Sequence, residues 1–278
     1  MSQENKSRIA RLNEGFRFWA ISPAHGRIQP LEQALDLLSD YYQPGDHIIL
    51  LGSQIGQGGQ SLRVMDTLNS FKHWLGDEVA GSHEKGLVNS SQVVWLRGIQ
   101  EVLIDKFYTL HMAPSPADVL DWMVDTYQFD KLSDQLGCEI NEAHEAIAAG
   151  AAPLAHFTNA FHHELHANVS NASYFSSCRR AALSKQGHLL FVHGGLDPAR
   201  TLSMQTDAFW FGHPDYFRLS KPYQNFTQVI SGLVPSGSTE VIGPGRFAFD
   251  GGCGRGGYLS LRCFSSKGTP LFEYEFSS

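Results

Sequence analysis

Near the start of the chain, apolar residues gather in short runs. Each run is followed by a glycine-containing loop and then by helical spacing. The runs are residues 17–21, 47–51 and 92–96. A continuous apolar run of this length between turn signals predicts a strand buried on both faces, as in a parallel sheet. Leu31, Ala34, Leu35 and Leu38 fall at i, i+3, i+4 and i+7, which predicts a helix from about Pro30 with one buried face. Val64, Leu68, Phe71 and Leu75 predict a second helix from about Ser61. Strand, loop and helix recur three times, the pattern of an α/β fold whose site lies in loops at the strand C-termini.

From about residue 114 to 169 the pattern is helical without strands. Ser115-Pro116-Ala117-Asp118 reads as an N-cap, a proline at the first helical position and an acid in the first turn. Leu154, Phe157, Phe161 and Leu165 mark a later amphipathic helix. No flexible linker flanks this stretch, so it is expected as a helical insertion, about 105–170, within a single domain spanning 16–278. Residues 1–15 are polar and are expected as an N-terminal tail. Further strands are predicted at 188–192, 227–231, 239–242, 246–249, 258–264 and 271–276, with turn signals between them.

Composition narrows the functional classes. Apolar residues make up 42% of the chain, which fits a globular fold. The net charge is −7 and the basic residues are scattered, which argues against nucleic-acid binding. No apolar run reaches the roughly 18 residues of a membrane span, and the N-terminal stretch has no signal-peptide core, so a cytoplasmic location is expected. Cys138, Cys178, Cys253 and Cys263 show no metal-binding spacing and read as reduced thiols.

Candidate chemistry sits at the ends of the predicted strands. Ser22-Pro23-Ala24-His25-Gly26, Gly52-Ser53-Gln54-Ile55-Gly56-Gln57-Gly58 and Arg97-Gly98-Ile99-Gln100-Glu101 follow the first three. Later come Leu190-Phe191-Val192-His193-Gly194-Gly195-Leu196-Asp197-Pro198, Ser231-Gly232-Leu233-Val234-Pro235 and Phe247-Ala248-Phe249-Asp250-Gly251-Gly252. In this order they resemble the calcineurin-like metallophosphoesterases, especially the bacterial serine/threonine phosphatase and diadenosine-tetraphosphate hydrolase branch. That family's patterns are GDxHG, GDxxDRG, GNH(E/D), FVHAGxDP, HGHTP and NIDTG. The resemblance covers about residues 16–276. It implies a four-layer αββα sandwich of two mixed sheets with helices on both outer faces.

The resemblance also implies which positions would carry a two-metal site, and most have lost their donor atoms. The acid of the first motif is Pro23, the metal-bridging acid of the second is Ser53 and its later acid is Gly56. Gln57 stands for a phosphate-contacting arginine, Ile99 for the asparagine ligand and Gln100 for the histidine that protonates the leaving group. Leu233 replaces another ligand histidine, and Gly212 a phosphate-binding arginine. His25 and His193 alone retain family ligands. Losing the bridging carboxylate matters most, because it offsets the repulsion between two cations.

Remaining ligand candidates are Arg97, Glu101, Gly212, His213, Asp250 and Arg255. Glu101 and Asp250 also read as buried acceptors for backbone donors. Arg97, Arg179, Arg180 and Arg255 make an anion site if they converge. His162-His163-Glu164-Leu165-His166 lacks the spacing of a zinc-protease helix, although His162 and His166 share a helix face. Gly252-Cys253-Gly254-Arg255-Gly256-Gly257 satisfies GxGxxG but precedes a predicted strand, not a helix.

A non-catalytic relative, a pseudophosphatase, is therefore expected, binding a protein partner or a phosphorylated small molecule and needing no cofactor. An alternative is a phosphoesterase, protein phosphatase or nucleotide-polyphosphate hydrolase with a rebuilt site holding one Zn, Mn or Fe ion at His25 and His193. Another is a structural subunit whose aromatic residues Trp74, Phe211 and Tyr216 are buried in an assembly.

Overall fold

A computed structural model describes residues 9–13 and 15–277. The first three runs form β2 (Arg17–Ile21), β3 (His47–Leu50) and β4 (Gln92–Trp95), paired in parallel. β10 (Leu259–Ser265) pairs antiparallel with β2, and β11 (Pro270–Phe276) antiparallel with β10, giving the order β11-β10-β2-β3-β4. The second sheet has the order β1-β5-β6-β7-β9-β8. Its strands are β1 (Ile9–Arg11), β5 (Ala181–Leu183), β6 (Leu189–Val192), β7 (Gln228–Ser231), β8 (Glu240–Gly243) and β9 (Arg246–Phe249). Strands β6, β7 and β9 run parallel to one another.

Side-chain alternation sorts each strand between two cores. Phe18, Ala20, Ile49 and Leu51 point between the sheets and meet Phe191, Ile230, Phe247 and Phe249. Trp19, Ile21, Ile48 and Leu50 point the other way, against α1 (Ile28–Tyr41) and α2 (Ser61–Glu84). The predicted stripes of both helices are buried on this face. The two mixed sheets face each other with helices outside them, the expected αββα sandwich.

Between β4 and β5 the chain is helical. α3 (Ile99–Tyr108), α4 (Pro116–Tyr127), α5 (Phe129–Gln135), α6 (Ile140–Ala149), α7 (Ala151–Ala167) and α8 (Val169–Ser177) extend beyond the expected 105–170 at both ends. The outer face of the second sheet is covered by residues 202–226, where α9 (Ala208–Phe211) is a single turn. Phe209, Tyr216, Tyr223 and Phe226 pack there on Leu190, Val192, Val229 and Ala248.

Two expectations need correction. Ile9–Arg11, inside the expected tail, forms an edge strand in register with Ala181–Leu183, a pairing between distant segments. Residues 1–8 and 14 lie outside the described residues. Tyr216, expected on the surface, is fully buried and its hydroxyl donates to the Val229 carbonyl at 3.2 Å. Trp74 and Phe211 are half-buried. All four cysteines are free thiols.

Buried Arg262 joins the edges of the two sheets. It pairs with Glu240 on β8 at 2.6 Å and with Glu273 on β11, and it lies 5.3 Å from the ring centroids of Phe247 and Phe249. Arg262→Ala is expected to cost about 1–2 kcal/mol, since both carboxylates are partly exposed and rehydrate when unpaired. A urea unfolding curve with an unchanged midpoint would remove this role.

Candidate functional site

Parallel pairing brings the C-terminal ends of β2, β3 and β4 to one edge, facing those of β6, β7 and β9. The loops there are tied by backbone hydrogen bonds. His25 N–H donates to Ser53 O at 3.0 Å, Gly26 N–H to Gln54 O at 2.7 Å and Gly58 N–H to His25 O at 2.6 Å. On the opposing sheet, Gly232 N–H donates to His193 O at 2.9 Å. Gly98 is needed for close approach, because a Cβ there would lie 2.2 Å from the Ser53 nitrogen. His25 (φ 50°) and Ser53 (φ 49°) hold left-handed backbone that side chains rarely adopt.

Glu101 organises the second and third loops. Its carboxylate accepts from the N–H groups of Ser53 (2.9 Å), Gly98 (2.8 Å) and Gln54 (3.2 Å), and from the Tyr174 hydroxyl (2.7 Å). It is fully buried at the start of α3, where its carboxylate caps the helix by accepting from the Gly98 N–H. Its acceptor sites are occupied by these internal donors, so it is a structural strut that offers little to a ligand.

His193 is held in one tautomer. Its Nδ1 lies 2.7 Å from the Leu51 carbonyl, which can only accept, so Nδ1 carries the proton. Nε2 then accepts from the Ser53 hydroxyl at 3.3 Å. Ser53 Oγ in turn lies 3.4 Å from the Gln100 N–H. Burial pushes the His193 imidazole down to about 4, against the opposing effect of the Leu51 hydrogen bond. His25 is likewise pushed to about 4 by burial and by the nearby Arg255 charge. Both rings are neutral near pH 7. The Asp250 carboxyl is raised by burial, partly offset by the Gly252 N–H it accepts at 2.9 Å.

These groups surround a cavity of about 180 Å³. His25, Gln57, Ile99 and Gln100 line it from the first sheet's loops, and His193, Leu233, Asp250 and Arg255 from the second sheet's loops and the turn after them. Thr126, Tyr127 and Gln128 close one side from the α4–α5 junction, and Gln100 Nε2 donates to the Tyr127 carbonyl at 3.1 Å. Sequence reasoning missed this wall, because no local pattern links residue 127 to residue 100. It also missed Tyr174, the phenol that completes the Glu101 site.

Other candidates lie elsewhere. Buried Pro23 packs near Gly232, where a Cβ would lie 3.1 Å from Pro23 Cδ. Gly56 is bound into its loop, its carbonyl accepting from Ser61 Oγ and Gln135 Nε2. Gly212 and His213 line an apolar groove of about 460 Å³ with Phe211, Phe217, Leu233 and Pro235.

The four arginines do not share one cavity: Arg97, Arg179 and Arg180 are neighbours, and Arg255 stands apart from them. Arg97 is ion-paired with Asp105 and lines a separate cavity of about 430 Å³ with Arg180, while Arg179 donates to the carbonyls of Ser176 and Cys178. Arg255 lines the central cavity without them. The His162 and His166 rings lie 4.5 Å apart beside Tyr108, but among the described residues no three His, Cys, Asp or Glu side chains gather as a metal would require. After Gly252 a 3-10 turn, Cys253–Arg255, leads into β10, so the GxGxxG match opens no helix.

The donor set does not fit a pair of divalent cations. Pro23, Ile99 and Leu233 supply no side-chain donor, and both His193 nitrogens are engaged within the protein.

No protein-family model and no curated protein sequence matches the chain. Solved structures do. A cold-active protein-tyrosine phosphatase from a psychrophilic Shewanella is similar at 13% identity and a TM-score of 0.53, over 100% of this chain and 85% of that one. A protein serine/threonine phosphatase from Saccharomyces cerevisiae is similar at 14% identity and 0.49, over 98% and 84%. A metallophosphoesterase from Sphaerobacter thermophilus is similar at 13% identity and 0.41, over 95% and 89%. The chain has the calcineurin-like metallophosphoesterase fold. At 13% identity and a TM-score of 0.53, the likeness to the Shewanella phosphatase bears on architecture and leaves activity to the site.

Proposed function

We propose that this protein is a pseudophosphatase that acts by binding another protein through the surface around its former metal cleft. The observation that carries this reading is the Ser53–His193 contact. A neutral hydroxyl stands at the position that the resemblance gives to the bridging carboxylate, and it occupies the lone pair of a retained histidine. Two-metal phosphoester hydrolysis needs carboxylate to offset the cations and a metal-activated water as nucleophile. Ile99 and Leu233 put aliphatic surface where that chemistry would be done.

The neighbouring groove favours a protein over a phosphorylated small molecule. Leu233 lines both the cavity and the groove, which makes a continuous surface rich in aromatic and aliphatic side chains. A phosphate in the cavity would face the Gln57 and Gln100 carboxamides and the Asp250 carboxylate, with Arg255 as its cation. Protein purified without added metal is expected to hold substoichiometric manganese, iron and zinc by elemental analysis, and to release no p-nitrophenol from p-nitrophenyl phosphate. Two equivalents of metal together with turnover would overturn the proposal.

A further inference from the structure

The central cavity has walls that ask for a ligand of mixed charge. Three polar atoms of its lining residues have no hydrogen-bonding partner among the described residues: His25 Nδ1, Gln57 Oε1 and Gln100 Oε1. The Gln100 carboxamide is fixed, because its nitrogen donates to the Tyr127 carbonyl, so the orphan is an acceptor. Buried acceptors without donors are costly, and folded proteins keep few of them. Asp250 adds a carboxylate, of which Oδ1 accepts from the Gly252 N–H. At the same cavity, the exposed Arg255 guanidinium makes no hydrogen bond or ion pair among the described residues.

We propose that this cavity binds a small zwitterion of the amino-acid class. The ammonium group faces the Gln57 and Gln100 carbonyls and Asp250, and the carboxylate faces Arg255. An amine alone leaves Arg255 unmatched and sets a cation beside it. An anion alone meets two carbonyl oxygens and a carboxylate. At about 180 Å³ the space suits a molecule of few heavy atoms and lies below the usual range for drug-sized or nucleotide ligands. The α4–α5 junction, through Tyr127, forms one wall and separates the ligand from solvent on that side. This inference goes beyond the protein-binding reading and stands or falls apart from it.

The test is isothermal titration of the metal-free full chain with glycine, L-alanine and L-serine, set against ethylamine, acetate and inorganic phosphate. At least one amino acid is expected to bind about tenfold more tightly than ethylamine or acetate. Arg255→Ala and Gln100→Leu are each expected to weaken that binding about tenfold, the worth of one lost charge-assisted hydrogen bond. Arg255 is exposed, so its variant keeps the test decisive if Gln100→Leu folds poorly. Absence of amino-acid binding at millimolar concentration would mean that ordered water fills the cavity, and would overturn the proposal. Tighter binding of phosphate, or unchanged affinity in both variants, would overturn it as well. Metal content and a co-purifying protein are scored on the same sample, so failure here is distinguishable from failure of the pseudophosphatase reading.

Discussion

Glu101→Ala is expected to lower the unfolding free energy by about 3–5 kcal/mol, the range for removing one member of a buried, charge-assisted network. The carboxylate satisfies three backbone N–H groups from two loops and one phenol, and all four donors are buried. Alanine would leave each of them without an acceptor, and none can reach water without opening the loops. The left-handed backbone at Ser53 would lose its anchor at the same time. Tyr174→Phe removes a single donor and should cost only about 1 kcal/mol. Urea unfolding of both variants measures the contrast. Equal and small losses would show that Glu101 is not the strut of these loops.

Acidification should destabilise the protein steeply between the ordinary histidine range and pH 4. Unfolded histidine titrates near 6.5, whereas His193 in the fold titrates near 4 because burial disfavours the imidazolium. Its folded value is depressed, so below 6.5 the unfolded state binds the proton and the folded state does not. Stability is lost as pH falls through that window, and the loss is complete below the folded value. A depression of this size corresponds to about 3 kcal/mol for His193. His25 acts in the same direction with a smaller weight, since the residue as a whole is only half-buried. Asp250 opposes them, because its raised carboxyl takes up a proton in the fold before it does in the unfolded chain. His193→Gln should flatten the pH profile of stability, measured by urea unfolding at steps from pH 7 to pH 4. An unchanged slope would contradict neutral burial of this ring.

Much of this architecture is legible in local sequence. The three parallel strands of the first sheet are apolar on both faces, so each shows as an uninterrupted run whatever its neighbours. The helices α1 and α2 carry their buried stripe in their own spacing. Strands β1 and β5 escaped notice because three residues are too few for a periodic signal, and their pairing joins segments far apart in the chain. Nothing in the local sequence of Tyr216, which follows Pro214 and Asp215, marks it as buried, yet the tyrosine turns inward onto β7.

That Pro23, Ile99 and Leu233 offer no side-chain donor atom is written in the sequence, since such a side chain cannot acquire one by folding. Tertiary structure alone decided what the surviving polar groups do. Folding placed Ser53 against His193, gave the Glu101 carboxylate to backbone donors, and sent Arg97 and Arg255 to different cavities. Residue identity sets which interactions are possible. Partner, burial and local charge arise only when segments separated by a hundred residues or more are brought within a few ångströms, where desolvation and hydrogen-bond geometry choose among them.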